Sequence, residues 1–367
     1  MVAAIFILLL ATTPGGIKAS IGFNDAIFPE IITAGEALAQ GSAYSAHADD
    51  SGSIYYNPSG LGSVRNTHLH LNNIQLESNK GWANTYLHGD MVSILSNITK
   101  SLSLDKMREE LLAKRGSISH FKAQAMPNFT TRFFSLGVMA SKQIRATIGT
   151  ADTAKFEYAE RTDYGPYAAL ALATIGGVIK VGAAVTMLTR SEAIGESDRD
   201  TTIDLQAGDI KKGSVLLVTA GSKLTLPITA LPTFSLTMHN AGNKGFSATS
   251  GSGGAPDKIK QSMDAGFSLS PKLGNRVSIH LEYDYKDLNN KFTDVSSVRK
   301  SLFGIELDIA KAMFFRFGYG DGYGCFGIGL KHQKLELDFS TYAIDTTTTE
   351  YRGEEDRRFV FSISAGL

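Results

Sequence analysis

A single cysteine, Cys325, stands in 367 residues, and that excludes an internal disulfide framework. Its Tyr323-Gly324-Cys325-Phe326-Gly327 setting reads as a strand rather than as a redox or nucleophilic loop. Neither sign of charge is in excess: 36 Lys and Arg stand against 36 Asp and Glu. That balance leaves no basic footprint for nucleic acid and no polybasic membrane arm, so no nucleic-acid partner is expected. Long apolar runs are missing beyond residues 2–12, which cover about half of the roughly 20 residues a spanning helix needs. Proline is scarce, 9 residues against 37 glycines, a ratio that suits many strands joined by tight turns. The usual marks of chemistry are absent as well. The Gly/Ser run at 247–254 lacks the Lys-Ser/Thr tail of a phosphate loop, and there is no Gly-x-Ser-x-Gly elbow or His-Glu-x-x-His helix. No enzyme activity and no cofactor are expected.

What is present begins with the run 2–12 itself. It reads as the core of a signal peptide over 1–19, with Ile17-Lys18-Ala19 as an acceptable cleavage site before Ser20, although a positive n-region is missing. An exported protein without a helical span is implied.

From about residue 64 the hydrophobic period is 2. Val277, Ile279, Leu281, Tyr283 and Tyr285 alternate with Ser278, His280, Glu282 and Asp284. Phe303, Ile305, Leu307 and Ile309 alternate with Gly304, Glu306 and Asp308. The chain closes on Phe359, Phe361, Ile363 and Ala365, interleaved with Val360, Ser362 and Ser364. The same rule gives fourteen segments, including 64–76, 129–141, 145–160, 166–175, 178–190, 334–344 and 357–367. Tight links fall at 142–144, Gly176-Gly177, 271–275, 310–311 and His332-Gln333. Long links fall at 77–128, 191–213, 241–260, 288–297 and 345–356, with shorter ones at 161–165 and Asp321-Gly322. Short turns at one end and long loops at the other suit an outer-membrane barrel, with the long set extracellular.

A soluble sandwich would show the same alternation. Length separates the two: the expected strands run about 9–13 residues, where soluble strands run about 5–6 and tilted membrane strands need about 9–11. Aromatics near strand ends (Tyr283, Tyr285, Phe315, Tyr319, Tyr323, Phe359) are placed like an interfacial girdle. The fold class expected is all-β, an antiparallel transmembrane β-barrel of about 14 strands over 64–367. In its longest loop Ser103 is placed to cap a helix over 104–115, whose Leu104, Met107, Leu111 and Leu112 share a face. That helix reads either as a surface lid that meets a hydrophobic ligand or as a helix docked on neighbouring loops.

Ahead of the barrel, the segment 20–63 is neither a good helix nor a good strand. It carries Ala34-Gly35-Glu36-Ala37, Gly41-Ser42-Ala43, Ala48-Asp49-Asp50, Ile54-Tyr55-Tyr56 and Asn57-Pro58-Ser59-Gly60-Leu61. Pro58 fixes its own φ and biases Asn57 away from helix, while Gly60 permits close backbone packing. Asp49 and Asp50 can cap free N–H groups or pair with cations in a lumen. These motifs resemble the hatch of the FadL-like outer-membrane transporter superfamily, which includes long-chain fatty-acid and aromatic-hydrocarbon transporters and the PorV-like secretion barrels. The departure is Ser59, where alanine is usual. The resemblance covers under a tenth of the chain. It implies an N-terminal hatch over 20–63 folded inside the barrel, with Asp49, Asp50, Tyr55, Tyr56, Asn57, Pro58, Gly60 and Leu61 as its motif residues. It also implies transport of hydrophobic small molecules such as long-chain fatty acids, with membrane lipids around the wall. The alternative within the same superfamily is a secretion-associated scaffold that docks protein partners.

Two further groupings stand out. Glu282, Asp284, Glu306, Asp308, Glu336 and Asp338 all fall on the polar face of their strands, a possible lumenal acidic cluster that could bind Ca²⁺ or screen anions. The plainer reading pairs them with Arg316, Lys331 and Lys334. His68 and His70 also share a face, but the further ligands of a zinc site are not identifiable, and no metal is expected.

Overall fold

The computed structural model describes residues 21–23, 31–65, 67–86, 98, 100–293, 295–332, 334–345 and 355–366. The expected signal peptide 1–19 lies outside the described residues, as do residues 20 and 24–30 of the expected hatch and Leu367. The alternating segments form β1 His68–Asn79, β2 in two pieces (Ile118–Ala125 and Asn128–Thr131), β3 Phe134–Ile148 and β4 Phe156–Ala173. They continue as β5 Ile179–Ser197, β6 Lys211–Thr225, β7 Thr233–His239 and β8 Ser262–Leu269, which is extended by Lys272–Leu273. The remainder are β9 Val277–Tyr285, β10 Ser301–Ile309, β11 Met313–Gly320, β12 Tyr323–His332, β13 Leu335–Asp345 and β14 Glu355–Gly366. Each pairs antiparallel with the next, and β14 returns to β1, from Arg358 opposite Asn79 to Gly366 opposite His70. The fourteen strands close into a barrel without a free edge.

The faces are those of a membrane barrel. Leu172 is 73% exposed and Leu170 63%, and Met187, Leu216, Phe317 and Phe361 also point outward. Inward-facing Glu77, Lys122, Asp163, Arg190, Glu282, Asp284, Arg316 and Arg358 are buried. A soluble sandwich would bury the apolar face; here the apolar face is the exposed one, and only lipid satisfies it. The buried charges are paired, as burial requires. Arg190 grips Asp163 through both oxygens at 2.7 and 2.8 Å, and Glu77 meets His120 at 2.7 Å and Arg358 at 3.2 Å.

The strand count is the expected one, but placement differs near the start. The expected turn at 142–144 lies inside β3 and the expected link 161–165 inside β4; the chain turns instead at Arg132-Phe133 and over 149–155. The longest interval between described strands is therefore 80–117 rather than the expected 77–128. The cause is lumenal polarity. Ser141, Gln143 and Asp163 imitate turn residues, yet they are buried side chains facing the interior. Tight turns with positive φ occur where expected, at Gly176-Gly177 (80° and 68°), Ala310-Lys311 (57° and 55°) and Asp321-Gly322 (51° and 89°).

Two short helices, α1 Gly35–Ala39 and α2 Ser53–Tyr56, precede the first strand, and α3 Lys80–Tyr86 and α4 Leu104–Leu112 occupy the longest loop. No helix among the described residues is long and apolar enough to cross a membrane. α4 is three residues shorter than the expected 104–115, and Ser103 makes no side-chain cap. Leu104, Met107 and Leu111 are buried against Phe121, Ile144, Ile148 and Trp82 of α3. Phe121 and Ile144 pair across β2 and β3 on their outward faces. The helix is thus docked on the outer side of the wall, beyond the lipid-facing band, and does not cover the mouth.

Candidate functional site

Residues 31–65 lie inside the barrel. Their contacts run round the whole wall, from Gln75 of β1, whose Nε2 donates to Thr33 Oγ1 at 3.0 Å, to Ser362 of β14 beside Gly35. Only a segment within the lumen can meet strands on every side. The wall admits it through glycines: Gly304, Gly318 and Gly320 lie against Gln40 and Gly41, Gly327 against Ala39, and Gly182 against Pro58. A β-carbon at Gly318 would fall 2.2 Å from the Gln40 carbonyl carbon, so these positions exclude every side chain.

Three polar attachments fix the plug. In α1, Glu36 reaches Arg316 Nη2 at 3.3 Å, and the same guanidinium donates to Glu306 at 2.6 Å and to Asp338. In the following turn the N–H groups of Tyr44 and Ser45 each donate to Asp284 Oδ2 at 3.0 Å, and Ala46 N–H donates to Glu282 Oε1 at 2.6 Å. Lys223 of β6 donates to the Ala48 carbonyl at 2.6 Å. Beside them His47 of the plug stacks on His280 of β9, ring centroids 3.9 Å apart.

The motif residues take distinct places. Asp50 accepts from the Tyr44 hydroxyl at 3.3 Å, while Asp49 is exposed. The Tyr55 hydroxyl donates to Met139 Sδ at 3.0 Å, and Tyr56 packs edge-on against Tyr44 at 5.3 Å. Asn57 caps the 3₁₀ turn Pro58–Ser63, its Oδ1 accepting from Ser59 N at 3.1 Å and from Ser59 Oγ at 2.6 Å. The serine that departs from the family pattern therefore adds a bond that alanine lacks. A β-carbon at Gly60 would lie 2.1 Å from the Ala48 carbonyl oxygen, and Leu61 is fully buried.

The six lumenal acids do not converge. Glu282 and Asp284 hold plug backbone, Glu306 and Asp338 hold Arg316, Glu336 pairs with Lys331 at 2.9 Å, and Asp308 accepts from Ser278 Oγ at 3.1 Å. A bulge between His70 and Asn72 interrupts the strand that carries the two expected lumenal histidines. Among the described residues no group of three or more His, Cys, Asp or Glu side chains is placed to hold a metal ion.

On the long-loop side of the plug lies a cavity of about 140 Å³. Ile31, Ile32, Leu38 and Tyr55 of the plug face Leu217, Leu302, Cys325 and Ile344 of the wall, and His239, Lys286 and Asp321 supply its polar edge. Asp321 sits in the β11–β12 turn, held by Arg299 Nη2 at 2.9 Å and Asp345 N–H at 2.7 Å. Burial pushes its carboxyl up to about 6, against the pull of Arg299.

The fold has solved counterparts. The CymD monoaromatic hydrocarbon channel superposes with a TM-score of 0.53 at 11% identity, over 93% of this chain and 99% of that one. The Ralstonia pickettii toluene transporter TbuX gives 0.51 at 12% identity, over 91% and 98%. The Pseudomonas putida toluene transporter TodX gives 0.51 at 10% identity, over 93% and 100%. This chain shares the barrel fold of these channels and transporters. No family model matches the sequence, nor does any curated protein. Within the barrel, residues that pattern reading left without a role are Tyr44, Lys223 and the plug-facing glycines. Gly304, Gly318, Gly320 and Gly327 follow the lumenal phase of three consecutive strands, a signal that was present in the alternation.

Proposed function

We propose that the chain binds and passes small hydrophobic molecules across the outer membrane, with residues 20–63 acting as its hatch. The cavity carries this reading. It is apolar, closed on one side by the plug, and opens toward the long-loop end. At about 140 Å³ it is close to the engineered cavity of about 150 Å³ that accepts benzene, and well below the pockets of about 300–1,000 Å³ that hold drug-sized ligands. A ligand of single-ring size fits it as it stands; a long-chain fatty acid would extend beyond it toward the long-loop end. The motif residues Asp49, Asp50, Tyr55, Tyr56, Asn57, Pro58, Gly60 and Leu61 are assigned to holding and releasing the hatch, and the lumenal acids to seating it.

Passage beyond the plug has two routes. One is rearrangement around Asn57-Pro58 toward the periplasm. The other is sideways through the wall where Pro166 interrupts β4. The pairs Tyr164–Thr189 and Tyr167–Thr186 flank two positions without a ladder partner on β5. The experiment is uptake of toluene and of oleate into liposomes carrying the purified barrel. Saturable uptake of either above empty liposomes supports transport. Uptake of neither favours the protein-docking alternative.

A further inference from the structure

The two rims of the barrel carry charge differently. On the short-turn rim the chain passes through 64–67, 132–133, 174–178, 226–232, 270–276, 310–312 and Lys334. These stretches hold Arg65, Arg132, Lys272, Arg276, Lys311 and Lys334, and no Asp or Glu. All six are exposed, and among the described residues none forms an ion pair. The opposite rim mixes the two signs: Lys142 pairs with Glu160 at 2.8 Å, Arg115 with Asp152 at 3.3 Å and Lys155 with Glu196, while Lys244, Lys258 and Lys291 are exposed without an ion pair among the described residues.

The unpaired cations also sit at a definite height. Leu273, 57% exposed, follows Lys272; Met313 stands two residues after Lys311; Leu335 follows Lys334. Phe134, two residues after Arg132, pairs with Leu170 on the lipid side. These four cations, Lys272, Lys311, Lys334 and Arg132, therefore begin where the outward apolar band ends. A Lys or Arg there lays its stem on apolar surface and places its charge at headgroup level. The turns 174–178 and 226–232 carry no charge, and in the second Ile228 is 60% exposed. The charge thus forms an arc, from Lys272 through Lys334 round to Arg132, rather than a full ring.

We propose that this arc binds anionic phospholipid headgroups of the periplasmic leaflet and fixes the depth of the barrel in the membrane. The occupant follows from position. The cations border the lipid-facing band, and the nearest acids are otherwise engaged, Asp308 with Ser278 Oγ and the Lys311 backbone N–H and Glu336 with Lys331. A soluble acidic partner would not require each charge to adjoin a lipid-facing side chain.

The test is native mass spectrometry of the purified barrel with phosphatidylglycerol and phosphatidylcholine supplied in equal amounts. Wild type is compared with K272Q/R276Q/K311Q/K334Q and with the opposite-rim variant K142Q/K155Q, each checked for heat-modifiable migration. Wild type should retain phosphatidylglycerol in preference. The fourfold variant should lose that preference by about tenfold or more, and K142Q/K155Q should keep it. Equal retention of the two lipids by wild type, or an undiminished preference in the folded fourfold variant, overturns the proposal. So does a wild type without lipid preference that binds polyglutamate through the same four residues, since the surface would then be a protein-docking one.

Discussion

Asn57 of the plug and Gly221 of the wall approach so closely that a β-carbon at 221 would fall 2.0 Å from the Asn57 side-chain oxygen. The same asparagine donates to the Ser222 carbonyl at 3.3 Å, so the turn that begins at Pro58 is seated directly on β6. Gly221→Ala should displace that turn at a cost of about 1–3 kcal/mol, the range for overpacking a fitted site. Asn57→Gly in the same chain should recover part of the loss, because it removes the clashing oxygen. A double-mutant cycle on the urea midpoint of the refolded barrel reads the coupling. Additive losses would show that the two residues are not seated on each other.

Arg316 is the cation of the α1 attachment, with Glu36, Glu306 and Asp338 around one guanidinium. Arg316→Gln leaves three carboxylates facing one another in a buried site and should cost about 3–5 kcal/mol. Arg316→Lys should rescue little, since a single ammonium cannot serve three carboxylates in a fork. Glu36→Gln should leave the wall intact and free only the plug. In planar bilayers it should raise ion conductance without altering heat-modifiable migration. Unchanged conductance in Glu36→Gln would remove this attachment from the gating account.

Most of the wall was legible in the alternation, because lipid outside and polar lumen inside impose period 2 on every strand. Where reading failed, at 142–144 and 161–165, the lumen itself was the cause: Gln143 and Asp163 are core residues of a polar interior and look like turn residues. Plug placement was legible from Asn57-Pro58-Ser59-Gly60-Leu61 only by resemblance. Its attachments were not, since Tyr44 lies 240 residues from Asp284 and Glu36 lies 280 from Arg316. The cavity depends on how Leu38 packs near Cys325 and Ile344, which no local pattern states.

The β11–β12 turn gives the site a pH dependence. The Asp321 carboxyl is raised from an ordinary 3.8 to about 6, so the folded protein holds this proton more tightly than the unfolded chain. The sign is therefore the reverse of a salt-bridged acid with a lowered pKa. Stability should rise as pH falls through about 6 and level off near 3.8. Asp321→Asn should flatten that segment of the profile. Urea midpoints of wild type and Asp321→Asn at pH 8, 6.5 and 5 check it; parallel profiles would contradict the assignment.

Cys325 is the only thiol in the sequence, and it lines the cavity with Leu302 and Ile344. A small uncharged maleimide should label it slowly, and toluene should slow the labelling further if the cavity is the ligand site. Leu302→Trp should fill the space, lower uptake at least tenfold and abolish the protection by toluene. Protection that persists in folded Leu302→Trp would place the ligand elsewhere.

Tyr167 and Thr186 are cross-strand partners bordering the ladder gap at Pro166. Apolar Met139 and Leu188 lie in the same cluster as Tyr167 and Ile54, so the gap adjoins the apolar side of the plug. A disulfide between Tyr167→Cys and Thr186→Cys, built in a Cys325→Ser background, would stiffen the wall there without touching the path beneath Asn57. If ligand leaves sideways, the oxidised variant should lose most of its uptake and regain it on reduction. If ligand passes under the hatch, oxidation should leave uptake unchanged. Uptake that stays low after reduction is uninformative for route, so the paired single variants Tyr167→Cys and Thr186→Cys must each transport normally. The distinction matters physically because the two routes deliver cargo to different phases. A sideways exit keeps an apolar molecule in lipid, whereas passage under the hatch exposes it to water and to the cost of hydrating its whole surface.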